Sequence, residues 1–192
     1  YEVYDNYFLQ GYCNPLDDSE PIEKGGNGTD MDMMVLDIWP TLYNEKGEPA
    51  DENWMVGLQT VAHEMQHYAD YSAMKLNPEV AAPESWIQES FSTFSETIYK
   101  GQVADDTFGF FKSDSNSVIA NGRSPMEFQG LMEDYALVNL FSLYLYEQTK
   151  DLEGGGFKLF RSIIESPESD YRAIENALKD IAYPVTNFSD LL

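Results

Sequence analysis

His63-Glu64-Met65-Gln66-His67 lies inside the run from Trp54 to Leu76, and its H-E-x-x-H spacing governs how the rest of the chain is read. On a helix, positions four apart differ by only about 40° in direction, so both imidazoles point into one space and can hold one ion. Glu64 stands beside His63 around the helix, able to reach a water on that ion without ligating it. The chain has two histidines, and both are here. A surface pair or a satisfied core pair is the bland alternative, but the intervening glutamate and the helix formers around it favour zinc. Leu58, Val61, Ala62, Met65, Tyr68, Ala69 and Ser72 fall in one stripe away from the histidines. That stripe is expected to face the core and leave the ligand face free for a cleft.

A length of 192 residues with 43% hydrophobic content fits one globular domain with ample room for a core. The expected organisation is a single domain, residues 1–192, with a strand-and-loop portion over 1–50 and a helical portion carrying the zinc site over 51–192. The fold class is α+β and mostly helical. The net charge of -23 comes from 34 acidic against 11 basic side chains. Such a surface repels phosphate backbones and anionic membranes, which argues against nucleic-acid partners. It favours cations, yet no loop has the spacing of an EF-hand, so a Ca2+ site has no support in the sequence. No apolar run approaches the roughly 20 residues needed to cross a bilayer, so no membrane insertion is expected. Cys13 is the single cysteine, which rules out an internal disulfide. The chain starts at Tyr1 without an initiator methionine or signal peptide, and reads as a mature or trimmed fragment.

Taken in order, residues 4–9 read as a short strand followed by a long irregular loop with a turn cluster at 24–28. Residues 31–39 read as a strand ended by Pro40, a wall along which an extended peptide can pair. The metal helix is expected to start near Asp51, a good N-cap with Glu52 in its first turn. A second helix is expected from about 83 to 100, with Pro83 in its first turn. Residues 101–122 read as loop or hairpin. A long helix runs from beyond Pro125 to about 150, with Leu137, Leu140, Phe141, Tyr144 and Leu145 as its apolar face. Gly154-Gly155-Gly156 breaks it, and two further helices near 157–165 and 171–182 close the domain.

Catalytic zinc usually takes three protein ligands and leaves one position for water. With no third histidine, a carboxylate or Cys13 must complete the set. On the second helix Ile87, Phe91, Phe94 and Ile98 form an apolar stripe, and Glu89 points the opposite way with Thr93 and Glu96 beside it. A loop over 76–82 lets this helix fold back antiparallel to the first, which favours Glu89 as third ligand. Glu84 and Glu96 are its rivals within the helix, and Glu96, with Thr93 next to it, suits an outer group that orients a ligating imidazole.

The motif, followed by Trp86-Ile87-Gln88-Glu89-Ser90-Phe91-Ser92 and Glu96, resembles the gluzincin metallopeptidases and, within them, the hyicolysin family. The likeness extends to Asp37-Ile38-Trp39-Pro40 ahead of the motif and to the tyrosine-led helix over 135–146, and covers roughly residues 31–182. It implies a thermolysin-like catalytic domain, one catalytic Zn2+ on His63, His67 and Glu89, and Glu64 as general base. It points to Tyr135 as the donor to the oxyanion. It also implies a protein or peptide substrate, a secreted or cell-surface location and a bacterial source. Ser90 and Ala136 stand where the resemblance has glycine. The segment with which aminopeptidases of this type hold a substrate amino terminus is missing, which favours an endopeptidase. Asp70 and Ala73 stand where the metzincin pattern needs glycine and a third histidine. Two other classes remain in view: a non-catalytic binding or adhesion protein that keeps the fold, and a closed structural zinc site completed by Cys13.

Overall fold

The structure is a computed structural model, and it describes residues 11–13, 34–36, 43, 47–48, 54–103, 105–112 and 122–191. Strands β1 (Gly11–Cys13) and β2 (Met34–Leu36) pair antiparallel with Tyr12 opposite Val35, and both pack on α1 (Trp54–Leu76). Then follow α2 (Ser85–Lys100), α3 (Asp105–Lys112), α4 (Met132–Thr149), α5 (Phe157–Ile164), α6 (Tyr171–Asp180) and the short α7 (Phe188–Leu191). The described residues are therefore mostly helical, with one small two-stranded sheet. None of these helices is long and apolar enough to cross a membrane.

The core lies on one side of α2. Trp86, Ile87, Phe91 and Phe94 of α2 meet Val138, Phe141 and Leu145 of α4, with Leu159, Phe160, Ile163, Ile174 and Leu178 from α5 and α6. Phe91 stacks on Phe160 at 4.6 Å between ring centres, and Trp86 meets Phe141 edge-on at 5.9 Å. Ile98, expected in the same stripe, lies beyond the packed region and is exposed. Gly101 ends α2 in the left-handed region at φ 76°, its N–H reaching the carbonyls of Thr97 and Ile98.

Several expectations need correction. The stripe Leu58, Val61, Ala62, Met65, Tyr68, Ala69 and Ser72 does not enter the core. Met65 is 62% exposed, because α1 turns its histidine face, with buried Glu64 and Asp70, toward the protein. Residues 105–112 form a helix where a loop or hairpin was expected. Gly109 and the polar composition disguise this helix in the sequence. A strand at 11–13 occupies what reads as irregular loop. The expected strand over 4–9 and the helix start at Asp51 lie outside the described residues.

The long helix starts later than expected. Ser124 caps a single 3-10 turn, Pro125–Glu127, and Gly130 at φ 79° separates it from α4. The buried face of α4 is Ala136, Val138, Phe141 and Leu145, together with polar Asn139, Ser142 and Thr149. Leu137 and Leu140 are half-buried and Tyr144 is exposed, because the helix meets α2 along this mixed face.

Two predictions concern stability. At Gly155 an added Cβ would lie 1.9 Å from the Thr149 carbonyl oxygen, which belongs to the backbone and cannot swing away. Gly155→Ala is expected to cost about 1–3 kcal/mol or more, read by chemical denaturation. Asp70 is 2% exposed and its carboxyl is pushed up to about 7, chiefly by burial, with the nearby charge of Glu89 adding to it and the Gln66 amide opposing it. Its folded pKa lies above its unfolded one, so the stability it contributes is full below about pH 4 and is lost as pH rises through about 7. In metal-free protein, Asp70→Asn should raise the melting temperature at pH 8 and flatten its fall between pH 5 and 8. An unchanged slope would contradict this.

Candidate metal centre

α1 and α2 run antiparallel: Glu96 meets His63 near the middle of α1, and Ser92 and Glu89 meet His67 one turn later. The Ser95 hydroxyl fastens the two helices by donating to the carbonyl of Ala62 at 2.8 Å and to that of Ser92 at 2.7 Å. The core face of α2 fixes the helix's rotation, and the opposite face therefore presents Glu89, Ser92 and Glu96 to α1.

Three ligand-capable side chains converge. His63 Nε2 and His67 Nε2 are 3.2 Å apart, Glu89 Oε2 is 3.2 Å from the former, and Glu89 Oε1 is 3.7 Å from the latter. The two rings meet edge to face, 69° between planes. A tetrahedral ion with ligands at about 2.0–2.2 Å keeps those atoms about 3.3–3.6 Å apart, so the spacing fits a small divalent cation. Glu89 Oε2 supplies a second sign. It is buried and has no hydrogen-bond partner among the described residues, although it lies at ion-pair distance from His63. In metal-free protein, among the described residues, only a protonated His63 can answer this oxygen, and a cation placed between the three side chains can do the same. His63, His67 and Glu89 form the group of described residues suited to a metal ion.

The electrostatics agree. Burial disfavours charge on His63, yet hydrogen bonds and charges from Glu89 and Glu96 outweigh it and lift its pKa to about 10. Burial lowers the pKa of His67, with the neighbouring His63 adding to it and Glu89 and Glu64 opposing it. In metal-free protein a proton on His63 thus takes part of the place that a cation is built to fill.

The remaining expected residues are distributed as follows. Glu64 is buried beside the two histidines, 6% exposed. Glu96 Oε1 lies 2.6 Å from His63 Nδ1, behind the ring. Glu84, a rival for the third ligand, caps α2 and accepts from the Trp86 indole at 2.8 Å, away from the histidines. Thr93, expected to help orient a ligand, turns elsewhere: its hydroxyl donates to the Glu89 carbonyl, and its own carbonyl accepts from Asn139 of α4. The side chain next to His67 Nδ1 is Ser92, at 3.3 Å. Its only signal in the sequence is its place three residues after Glu89, one turn along the same face. The side chain of Cys13 lies outside the described residues.

Tyr135 stands in the first turn of α4, edge-on to Phe128 at 5.1 Å. Burial, with the charges of Glu89, Glu64 and Glu96, pushes its hydroxyl up to about 12, so it stays protonated at neutral pH. Asp134 anchors this turn. Its carboxylate accepts the N–H groups of Gln129 and Leu131 and pairs with Arg123 at 3.0 Å.

No family model matches the chain. The neutral metalloprotease ShpI of Staphylococcus hyicus is similar to it, 23% identical over 201 residues that cover 100% of this chain and 43% of that protein. The chain spans less than half the length of this relative.

Proposed function

We propose that the chain forms a single catalytic domain, residues 1–192, of a zinc-dependent endopeptidase of the gluzincin type, similar to the hyicolysin family. The observation that carries this reading is the convergence of His63, His67 and Glu89, with Glu64 buried alongside. The likeness to a neutral metalloprotease supports it. The substrate is a protein or peptide, and the site of action is outside the cell or on its surface.

In this reading His63 and His67 each give a ring nitrogen to one zinc ion and Glu89 gives its carboxylate. The ion supplies Lewis acidity, lowering the pKa of water from about 15.7 towards about 7 and polarising the scissile carbonyl. Glu64 takes the proton of the attacking water and hands it to the departing amine, so that peptide plus water gives a free carboxylate and a free amine. Tyr135, protonated at neutral pH, donates a hydrogen bond to the oxygen of the tetrahedral intermediate. Glu96 accepts the Nδ1 hydrogen of His63 and keeps the other nitrogen turned to the metal.

Glu64→Gln should keep its metal and lose about 10²–10⁴-fold in turnover of an unfolded protein substrate. Undiminished turnover would remove Glu64 from the reaction. Glu89→Ala should release zinc at chelator concentrations that the unaltered protein withstands. Metal retention in that variant, or its loss in Glu84→Ala instead, would show the third ligand to be another group. A protein that holds zinc yet cleaves no unfolded substrate would fit a binding or adhesion protein on the same fold.

A further inference from the structure

The two imidazoles are supported unequally. Behind His63 stands a carboxylate, Glu96, at 2.6 Å, whereas behind His67 stands the hydroxyl of Ser92 at 3.3 Å. Ser92 is 0% exposed, so no solvent competes for that hydroxyl. A ligating imidazole is neutral and carries one N–H, and the nitrogen that carries it decides whether the other can bind a metal. A hydrogen on His67 Nε2 would point into the space shared with His63 Nε2, 3.2 Å away, and would block it.

We propose that Ser92 is a positioning residue: its oxygen accepts the Nδ1 hydrogen of His67 and thereby turns the Nε2 lone pair toward Glu89 and His63. A hydroxyl does this without adding charge to a site that already holds Glu64, Glu89 and Glu96. The hydrogen bonds then run in one order, from His63 outward to Glu96 on one side and from His67 outward to Ser92 on the other. With a metal ion in place, both lone pairs face inward. This inference rests on the metal-binding part of the reading above and not on the peptidase part.

The test compares Ser92→Ala with Ser95→Ala. The second variant removes the bond that pins α2 to Ala62 but leaves the Ser92 hydroxyl in place. Zinc affinity is measured by competition with a chromophoric chelator, and the His67 tautomer of metal-free protein by long-range proton–nitrogen NMR. Ser92→Ala should weaken zinc binding by about 10-fold and mix the two tautomers, whereas unaltered protein holds the hydrogen on Nδ1. Ser95→Ala should keep the Nδ1 tautomer even where it lowers the melting temperature. Affinity within two-fold of unaltered protein in Ser92→Ala overturns the assignment. So does an equal tautomer change in Ser95→Ala. The hydrogen found on Nε2 of unaltered metal-free protein also overturns it, and needs no variant to fold. If unaltered protein cleaves no peptide while these results hold, the proposed reaction fails and the Ser92 assignment stands.

Discussion

A carboxylate held between two imidazoles is the constraint on which the arrangement turns. Glu89 approaches His63 Nε2 at 3.2 Å and His67 Nε2 at 3.7 Å, in a seam where its Oε2 atom finds no hydrogen-bond donor among the described residues. Removing a carboxylate from water costs several kcal/mol unless a positive charge compensates it. In metal-free protein that charge is the proton on His63, and the seam has the ligands to take a metal cation in its place.

Helix α2, which lines that seam, has two unlike faces. One carries Trp86, Ile87, Phe91 and Phe94 into the core, and the other carries Glu89, Ser92, Ser95 and Glu96 to α1. A third set of contacts locks the rotation between them. Asn139 of α4 donates to the Thr93 carbonyl at 2.7 Å and bonds the Thr97 hydroxyl at 3.0 Å, while the Ser90 hydroxyl reaches the Val138 carbonyl and the Ser142 hydroxyl. Directional bonds of this kind resist slippage in a way that apolar contacts do not. A rotation about the axis of α2 would break them and carry Glu89 away from the rings. Ser90 thus has a structural use here: its hydroxyl bridges α2 to α4.

The motif and the phase of α2 were legible in the sequence for related reasons. His63 and His67 declare themselves by spacing, and Glu89 by lying opposite Phe91 and Phe94 on the wheel. Both inferences need only helical geometry, which tertiary structure does not alter. Readings that required knowing what packs against what did less well. The apolar stripe of α1 suggested a buried back, but burial depends on neighbours, and among the described residues those of α1 are the polar face of α2 and two short strands. Thr93 and Ser92 flank the Glu89 direction on either side, so the wheel alone does not tell which one reaches an imidazole. The antiparallel crossing of α1 decides for Ser92. Helix α3 was hidden because its polar composition and Gly109 read as loop.

The proton and the metal compete for the same lone pair, and this links the electrostatics of the site to its chemistry. In metal-free protein the acids around His63 raise its proton affinity until its pKa is about 10, even against burial. An imidazole so placed is a strong base toward any cation, and a divalent ion gains about twice the Coulomb attraction of a proton from the same carboxylates. The net charge of -23 extends the preference outward, since a cation approaches such a surface down a favourable gradient. A divalent ion bound between His63, His67 and Glu89 would displace the proton on His63 and answer the buried Glu89 oxygen at the same time, so one cation would serve both groups.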